Sequence, residues 1–134
     1  MGAILGRVAL DGRPIDRRLF RRAFERLRPG RCARSDMVVE GGSGFGQHDI
    51  RLTQSAPQPL QDGSLTIVAD ARLYDRNDLA AELAVAAPAY SDAVLILAAY
   101  RRWGVECVAH MDGDFGFAIY DRDKKEVFLA RDHI

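Results

Sequence analysis

Cysteine is scarce: the chain has two in 134 residues, Cys32 and Cys107, far apart and with no CxxC spacing. A disulfide-stapled scaffold and a zinc knuckle are excluded, the thiols are read as reduced, and no metal site is expected. No apolar run approaches the ~20 residues of a membrane-spanning helix. The chain does not open with a basic leader and a continuous apolar stretch, and Gly6 stands where a myristoylation signal carries Ser or Thr. The expectation is a cytoplasmic domain with no membrane contact. Internal repeats and low-complexity tracts are also missing.

What remains is globular in composition, 48% hydrophobic and 28% charged, and long enough to bury about two-thirds of its unfolded surface around one core. The formal charge is zero, but it is unevenly spread. From Arg17 to Arg34 eight arginines face the single Glu25, so the remainder is net acidic. Ile15, Leu19, Phe20, Ala23, Phe24 and Leu27 recur at helical spacing, which turns the arginines outward as the solvated face of a helix over 16–28. An anion- or nucleic-acid-binding module built on that helix is the competing reading. No aromatic shares the arginine face of that helix, as a stacking surface would require.

Strand and helix signals alternate along the chain. Ala3 to Ala9 reads as a strand, and Asp11-Gly12 as a turn. A helix from about Asp16 to Leu27 ends at Pro29-Gly30. Met37 to Glu40 and Asp49 to Thr53 read as short strands around a loop, Gly41-Gly42-Ser43-Gly44-Phe45-Gly46. That loop is not a phosphate cradle: its glycines do not fit GxGxxG, no GK[ST] follows, and no helix N-terminus comes next. Leu65 to Ala69 is an apolar strand, and Asp75 to Asp78 offers caps for a helix to about Val85. Ser91-Asp92 caps another, whose buried face is read as Val94, Ile96, Leu97, Tyr100 and Trp103, with Arg101 and Arg102 at its carbonyl end and Gly104 as its stop. Phe115 to Tyr120, a polar turn and Val127 to Ala130 form a hairpin. Phe115, Phe117, Ile119, Val127 and Leu129 are expected in its core, with Gly116 and Ala118 on a thin opposite side. The pattern predicts layered α+β.

Several ordered blocks resemble the amino-terminal glutamine-hydrolysing domain of the asparagine synthetase family. Met111-Asp112-Gly113-Asp114-Phe115-Gly116-Phe117-Ala118-Ile119-Tyr120-Asp121 is similar to the family's L-x-G-x-F-A-F-A-L-Y-D, and Leu129-Ala130-Arg131-Asp132-His133-Ile134 to its L-A-R-D-H-x-G. Ser91-Asp92 before an apolar helix, Pro59-Leu60 and Leu73-Tyr74 fit further blocks in the same order. The resemblance implies a four-layer αββα sandwich of two antiparallel sheets covered by helices, the Ntn-hydrolase-like fold.

The same alignment shows departures at the catalytic positions. Met1-Gly2-Ala3-Ile4-Leu5-Gly6 matches Met-Cys-Gly-Ile-x-Gly, so Gly2 vacates the place of the nucleophilic cysteine. Asp70-Ala71 replaces the Asn-Gly pair of the oxyanion hole, setting a carboxylate where an amide donor belongs. Arg51-Leu52 is similar to the arginine block that holds the carboxylate of glutamine, and Asp92 to the acid that holds its amine. The alternative for these two is a salt bridge and a helix cap. The R-G-P-D block has no clean equivalent near Arg28 to Arg31.

No S-G-G-x-D-S pyrophosphate loop occurs, so ATP and Mg are expected only in a following synthetase domain, with Arg131 and Asp132 at the junction. The wording Ala69-Asp70-Ala71-Arg72-Leu73 resembles the cysteine-less domains of lasso-peptide cyclases more than those of true synthetases, and β-lactam synthetases carry the same kind of domain. The expectation is therefore a non-catalytic domain of an ATP-dependent amide-forming enzyme. Its partners are the synthetase domain of the same polypeptide, glutamine or a peptide substrate, and a second copy of the chain, but not nucleic acid. Three alternatives stand: an active glutaminase using Cys32 or Cys107, a binding module using the arginine helix, and a regulatory domain that senses glutamine.

Overall fold

A computed structural model describes residues 2–51, 56–86 and 91–133. Along the chain run β1 (Ala3–Val8), α1 (Arg17–Arg26), β2 (Arg34–Glu40), β3 (Ser43–Asp49), β4 (Leu60–Asp62), β5 (Leu65–Leu73), α2 (Arg76–Glu82) and α3 (Asp92–Trp103). A 3-10 turn (Gly104–His110), β6 (Gly113–Asp121) and β7 (Glu126–Arg131) follow. The strands pair antiparallel into two sheets, β1-β3-β2 and β4-β5-β6-β7. Alternation along β5 and β6 separates two cores. Ile67, Ala69, Ala71, Phe115, Phe117 and Ile119 meet Leu79, Leu95 and Ile96 of α2 and α3, while Val68, Ala118 and Tyr120 meet Phe45 of β3. With α1 on the far side of β3, the layers are α, β, β, α, as the sequence blocks imply.

The arginine helix is capped by Asp16, whose Oδ1 accepts from the amides of Arg18 at 2.8 Å and Leu19 at 3.1 Å. Its buried side is narrower than its periodicity suggests. Phe20 and Phe24 are buried, but Leu19 and Leu27 are 53% and 45% exposed and Ala23 is exposed. The reason lies in the segment read as a glycine loop. Only Gly41-Gly42 turns; Ser43 to Gly46 belong to β3, and the strand expected over Asp49 to Thr53 ends at Asp49, with Leu52 and Thr53 outside the described residues. A Cβ on Gly44 would lie 3.0 Å from the Phe20 ring, and one on Gly46 2.7 Å from the Phe24 ring. The helix is thus seated on two aromatic rings pressed against bare backbone, with its flanks left in solvent.

Other corrections concern which face is buried. In α3, Leu95 and not Val94 reaches the core, and every residue from Ala93 to Ala99 is at least half-buried. Asp75 makes no side-chain cap bond to α2. In β7 the register sets Phe128 opposite Ile119 and Ala130 opposite Phe117, so those two join the helix-side core. Val127 and Leu129 fall on the other face and are 42% and 70% exposed. Gly116 does not allow close packing: nothing lies within 4 Å of the position its Cβ would take.

Two outcomes are expected in urea denaturation. Phe117→Ala destabilises by about 3–5 kcal/mol, whereas Leu129→Ser changes stability by less than about 0.5 kcal/mol. Equal losses would contradict the observed strand face. Gly46→Ala costs about 1–3 kcal/mol through its clash with Phe24, and combined with Phe24→Leu the loss falls short of the sum of the single losses. An additive cycle would remove the clash as the cause.

Candidate functional site

At one end of the sandwich the two sheets part around a cleft of about 620 Å³. Its floor follows from strand register. Asp70 of β5 lies opposite Gly116 of β6, which lies opposite Arg131 of β7. These residues share the face that carries Val68 and Ala118 toward the other sheet. Because Gly116 has no side chain, a gap opens between an acid and a base. Gly2 at the start of β1 and Arg51 after β3 complete the wall, and Asp132 closes the mouth.

Asp70 is the hub. Its Oδ2 accepts from the backbone amide of Gly2 at 2.9 Å, and its Oδ1 stands 3.5 Å from Arg51 Nη2. That nitrogen also donates to the carbonyl of Ala71 at 3.1 Å, and Arg51 Nε lies 3.7 Å from Asp49 Oδ1. The guanidinium is therefore held over the cleft by two carboxylates and a carbonyl. A side chain at position 2 would meet immediate resistance: a Cβ there falls 2.5 Å from the carbonyl oxygen of His48 and 3.5 Å from Asp70 Oδ1. The first obstacle is strand backbone, which cannot rotate away.

Two glutamines hold this arrangement in place, and the composition of the sequence does not single them out. Strand β4 ends before it can serve Ala69, so Gln58 Oε1 accepts from the Ala69 amide at 2.6 Å and Gln47 Nε2 donates to its carbonyl at 2.6 Å. Gln47 belongs to β3, and the bond ties one sheet to the other beside Asp70. The signal available was position: Gln58 immediately precedes the Pro59-Leu60 block. Asp132 is similarly committed, since its Oδ2 accepts from the amide of Phe115 at 2.7 Å.

Not every residue singled out reaches the cleft. Asp92 is outside its lining; Oδ1 sits 3.1 Å from Arg76 Nε. Burial raises the Asp92 carboxyl above the usual range, against the opposing pull of Arg76 and Arg51. The cap of α3 is Ser91, whose Oγ accepts from Val94 N at 3.4 Å. Neither cysteine lines the cleft. Cys107 is fully buried in the helix-side core, and burial pushes its thiol up to about 11. Cys32 lies beside Ser35 and His48 at the same end of β2 and β3, but on the face of the sheet that packs against Phe24 of α1. The described residues lining the cleft include carboxylates and guanidinium groups but no thiol, hydroxyl, imidazole or amine. Among the described residues no group of three or more His, Cys, Asp or Glu could hold a metal ion, and no helix is long and apolar enough to cross a membrane.

Comparison with known proteins fits this geometry. Residues 47–134 match the family model of the glutamine amidotransferase domain. A probable glutamine-hydrolysing asparagine synthetase of Schizosaccharomyces pombe is 36% identical over 85 residues, covering 60% of this chain and 15% of that protein. A putative asparagine synthetase of Mycobacterium bovis is 32% identical over 110 residues, covering 71% of this chain and 17% of that protein. The amidase chyE of Penicillium rubens is 31% identical over 88 residues, covering 63% and 13%. Among solved structures, the glutamine phosphoribosylpyrophosphate amidotransferase of B. subtilis superposes with a TM-score of 0.59 at 17% identity, over 98% of this chain and 31% of that one. That likeness shows the Ntn-hydrolase-like fold. The chain spans less than a fifth of each of these sequence relatives. It belongs to the glutamine amidotransferase family, as a domain of the kind found in asparagine-synthetase-like proteins.

Proposed function

We propose that this domain does not hydrolyse glutamine and serves as the non-catalytic amidotransferase-like part of a larger ATP-dependent amide-forming enzyme. One observation carries the proposal: where glutamine-hydrolysing relatives need a nucleophile, Gly2 has no side chain, and its backbone nitrogen is bound to the carboxylate of Asp70 at 2.9 Å. The loss is double. No thiol attacks the amide carbon, and the negative charge of Asp70 opposes the oxyanion that an amide donor would stabilise. Arg51 is shared between Asp49, Asp70 and the Ala71 carbonyl, so a glutamine carboxylate would have to displace internal partners.

On this reading, activation of a carboxylate by ATP and Mg belongs to a synthetase domain of the same polypeptide, and the amine that attacks is already part of the substrate, as in lasso-peptide cyclases and β-lactam synthetases. Arg131 and Asp132, at the mouth of the cleft, are proposed to face that domain. The arginine helix is proposed as a protein-contacting face. Its exposed flank of Leu19, Ala23 and Leu27 favours an apolar partner over a nucleic acid.

Glutamate release by the purified chain should be indistinguishable from the uncatalysed background, and Gly2→Cys should not restore it because the new Cβ meets the His48 carbonyl. Turnover of about one per second by either protein would overturn the proposal. Titration with duplex DNA and single-stranded RNA at physiological salt should show no submicromolar binding. Tight binding that is lost in Arg21→Glu/Arg22→Glu and weakens steeply with salt would instead identify a nucleic-acid surface.

A further inference from the structure

On the α1 face of the sheet, behind the cleft, Cys32, Ser35 and His48 form a directed chain of hydrogen bonds. His48 is 2% exposed, and its Nε2 lies 2.7 Å from the carbonyl oxygen of Phe24. A carbonyl only accepts, so Nε2 carries the proton and Nδ1 is left as an acceptor. Ser35 Oγ stands 2.8 Å from Nδ1 and must donate to it. The lone pairs of that hydroxyl then face Cys32 Sγ at 3.1 Å, while Sγ itself is 3.8 Å from Nδ1. A base is thus oriented by a fixed acceptor behind it and connected to a thiol in front.

We propose that Cys32 is a site of thiol–disulfide exchange with small anionic disulfides, with Ser35 and His48 taking up its proton. The proton passes from Sγ to the Ser35 hydroxyl as the hydroxyl proton passes to His48 Nδ1. The thiolate attacks one sulfur of the disulfide, a new S–S bond forms to Cys32, the old one breaks, and the second sulfur leaves as a thiolate with the electron pair. Cys32 is oxidised and half of the reagent is reduced, so no other oxidant is needed.

Two features favour the charge-separated state. The imidazole lies flat on the Phe24 ring, with centroids 3.8 Å apart and planes 7° apart, and the face of the ring attracts an imidazolium. The sulfur belongs to the segment holding Arg28, Arg31 and Arg34, a positive field that stabilises a thiolate and concentrates anions. The carbonyls of Arg34 and Asp49, at 3.1 and 3.7 Å from Sγ, compete with Ser35 Oγ for the single thiol proton, and the relay begins when that proton turns to the hydroxyl. Cys32 is partly exposed whereas Cys107 is sealed, which leaves one thiol per folded chain open to a reagent. The site is also placed to be felt elsewhere: the Ala33 amide bonds to the Asp49 carbonyl at 2.7 Å, and the Asp49 carboxylate grips Arg51 of the cleft.

The test is the rate of reaction of the full chain with the dianionic disulfide dithionitrobenzoate and the neutral dipyridyl disulfide. The folded protein should release one equivalent of thionitrobenzoate, from Cys32 by peptide mass, about tenfold faster than the same chain in denaturant, with Cys107 reacting only after unfolding. Ser35→Ala should remove that advantage and Ser35→Thr should keep it, both on chains whose melting matches the parent. The preference for the anionic reagent should be larger in the folded than in the unfolded chain and collapse in about 1 M salt. A folded-state rate no greater than the unfolded one, an unchanged rate in Ser35→Ala, an adduct on Cys107, or no anionic preference would each overturn the proposal.

Discussion

Strand β5 is covered on both faces from Leu65 to Ala69 and meets solvent only toward its end, at Asp70 and Arg72. Along it the residues alternate between the helices and the opposite sheet, and Ile67, Val68 and Ala69 are each at most 1% exposed. Backbone groups buried this deeply need a partner, because an unpaired one costs about 1–3 kcal/mol. Strand β6 supplies partners along the whole of one edge. On the other edge β4 reaches only from Leu65 to Ile67, and the two glutamine side chains finish the work at Ala69. The position of the cleft depends on that solution. Asp70 is the next residue, so its side chain emerges on the opposite face where the sheets diverge, and its direction is set by a peptide clamped on both polar atoms.

Much of this architecture is legible in the sequence, and the exceptions have physical causes. The hairpin of β6 and β7 and the three α-helices announce themselves through apolar spacing and the residues at their ends, although Asp75 makes no side-chain cap bond to α2. Strand β3 does not, because glycine usually marks a turn; here Gly44 and Gly46 are strand residues whose missing side chains make room for Phe20 and Phe24. The buried face of β7 is misread for a different reason. Val127, Phe128, Leu129 and Ala130 are all apolar, so alternation says nothing about which pair turns inward, and only the register against Phe117 and Ile119 decides.

The cleft is half legible. Gly2 and Asp70 each stand out as departures from the blocks that surround them, but nothing local says that they touch across 68 positions of sequence. Their contact joins the two departures in one hydrogen bond, from Gly2 N to Asp70 Oδ2. Asp92 shows the opposite case. The block around it is recognisable, yet Arg76 has claimed the carboxylate, and a pairing on the helix side of the sheet cannot be read from the order of motifs.

The clamp on Ala69 also divides the cleft in time. Its amide, sealed by Gln58 beneath both sheets, is released only when the core itself comes apart. Across the gap the amide of Phe115 is held by Asp132, the first residue after β7, and a bond to the end of an edge strand is expected to open more readily. The two walls of the cleft are therefore expected to exchange their amide protons at different rates, the Ala69 side with the lifetime of the whole fold and the Phe115 side sooner.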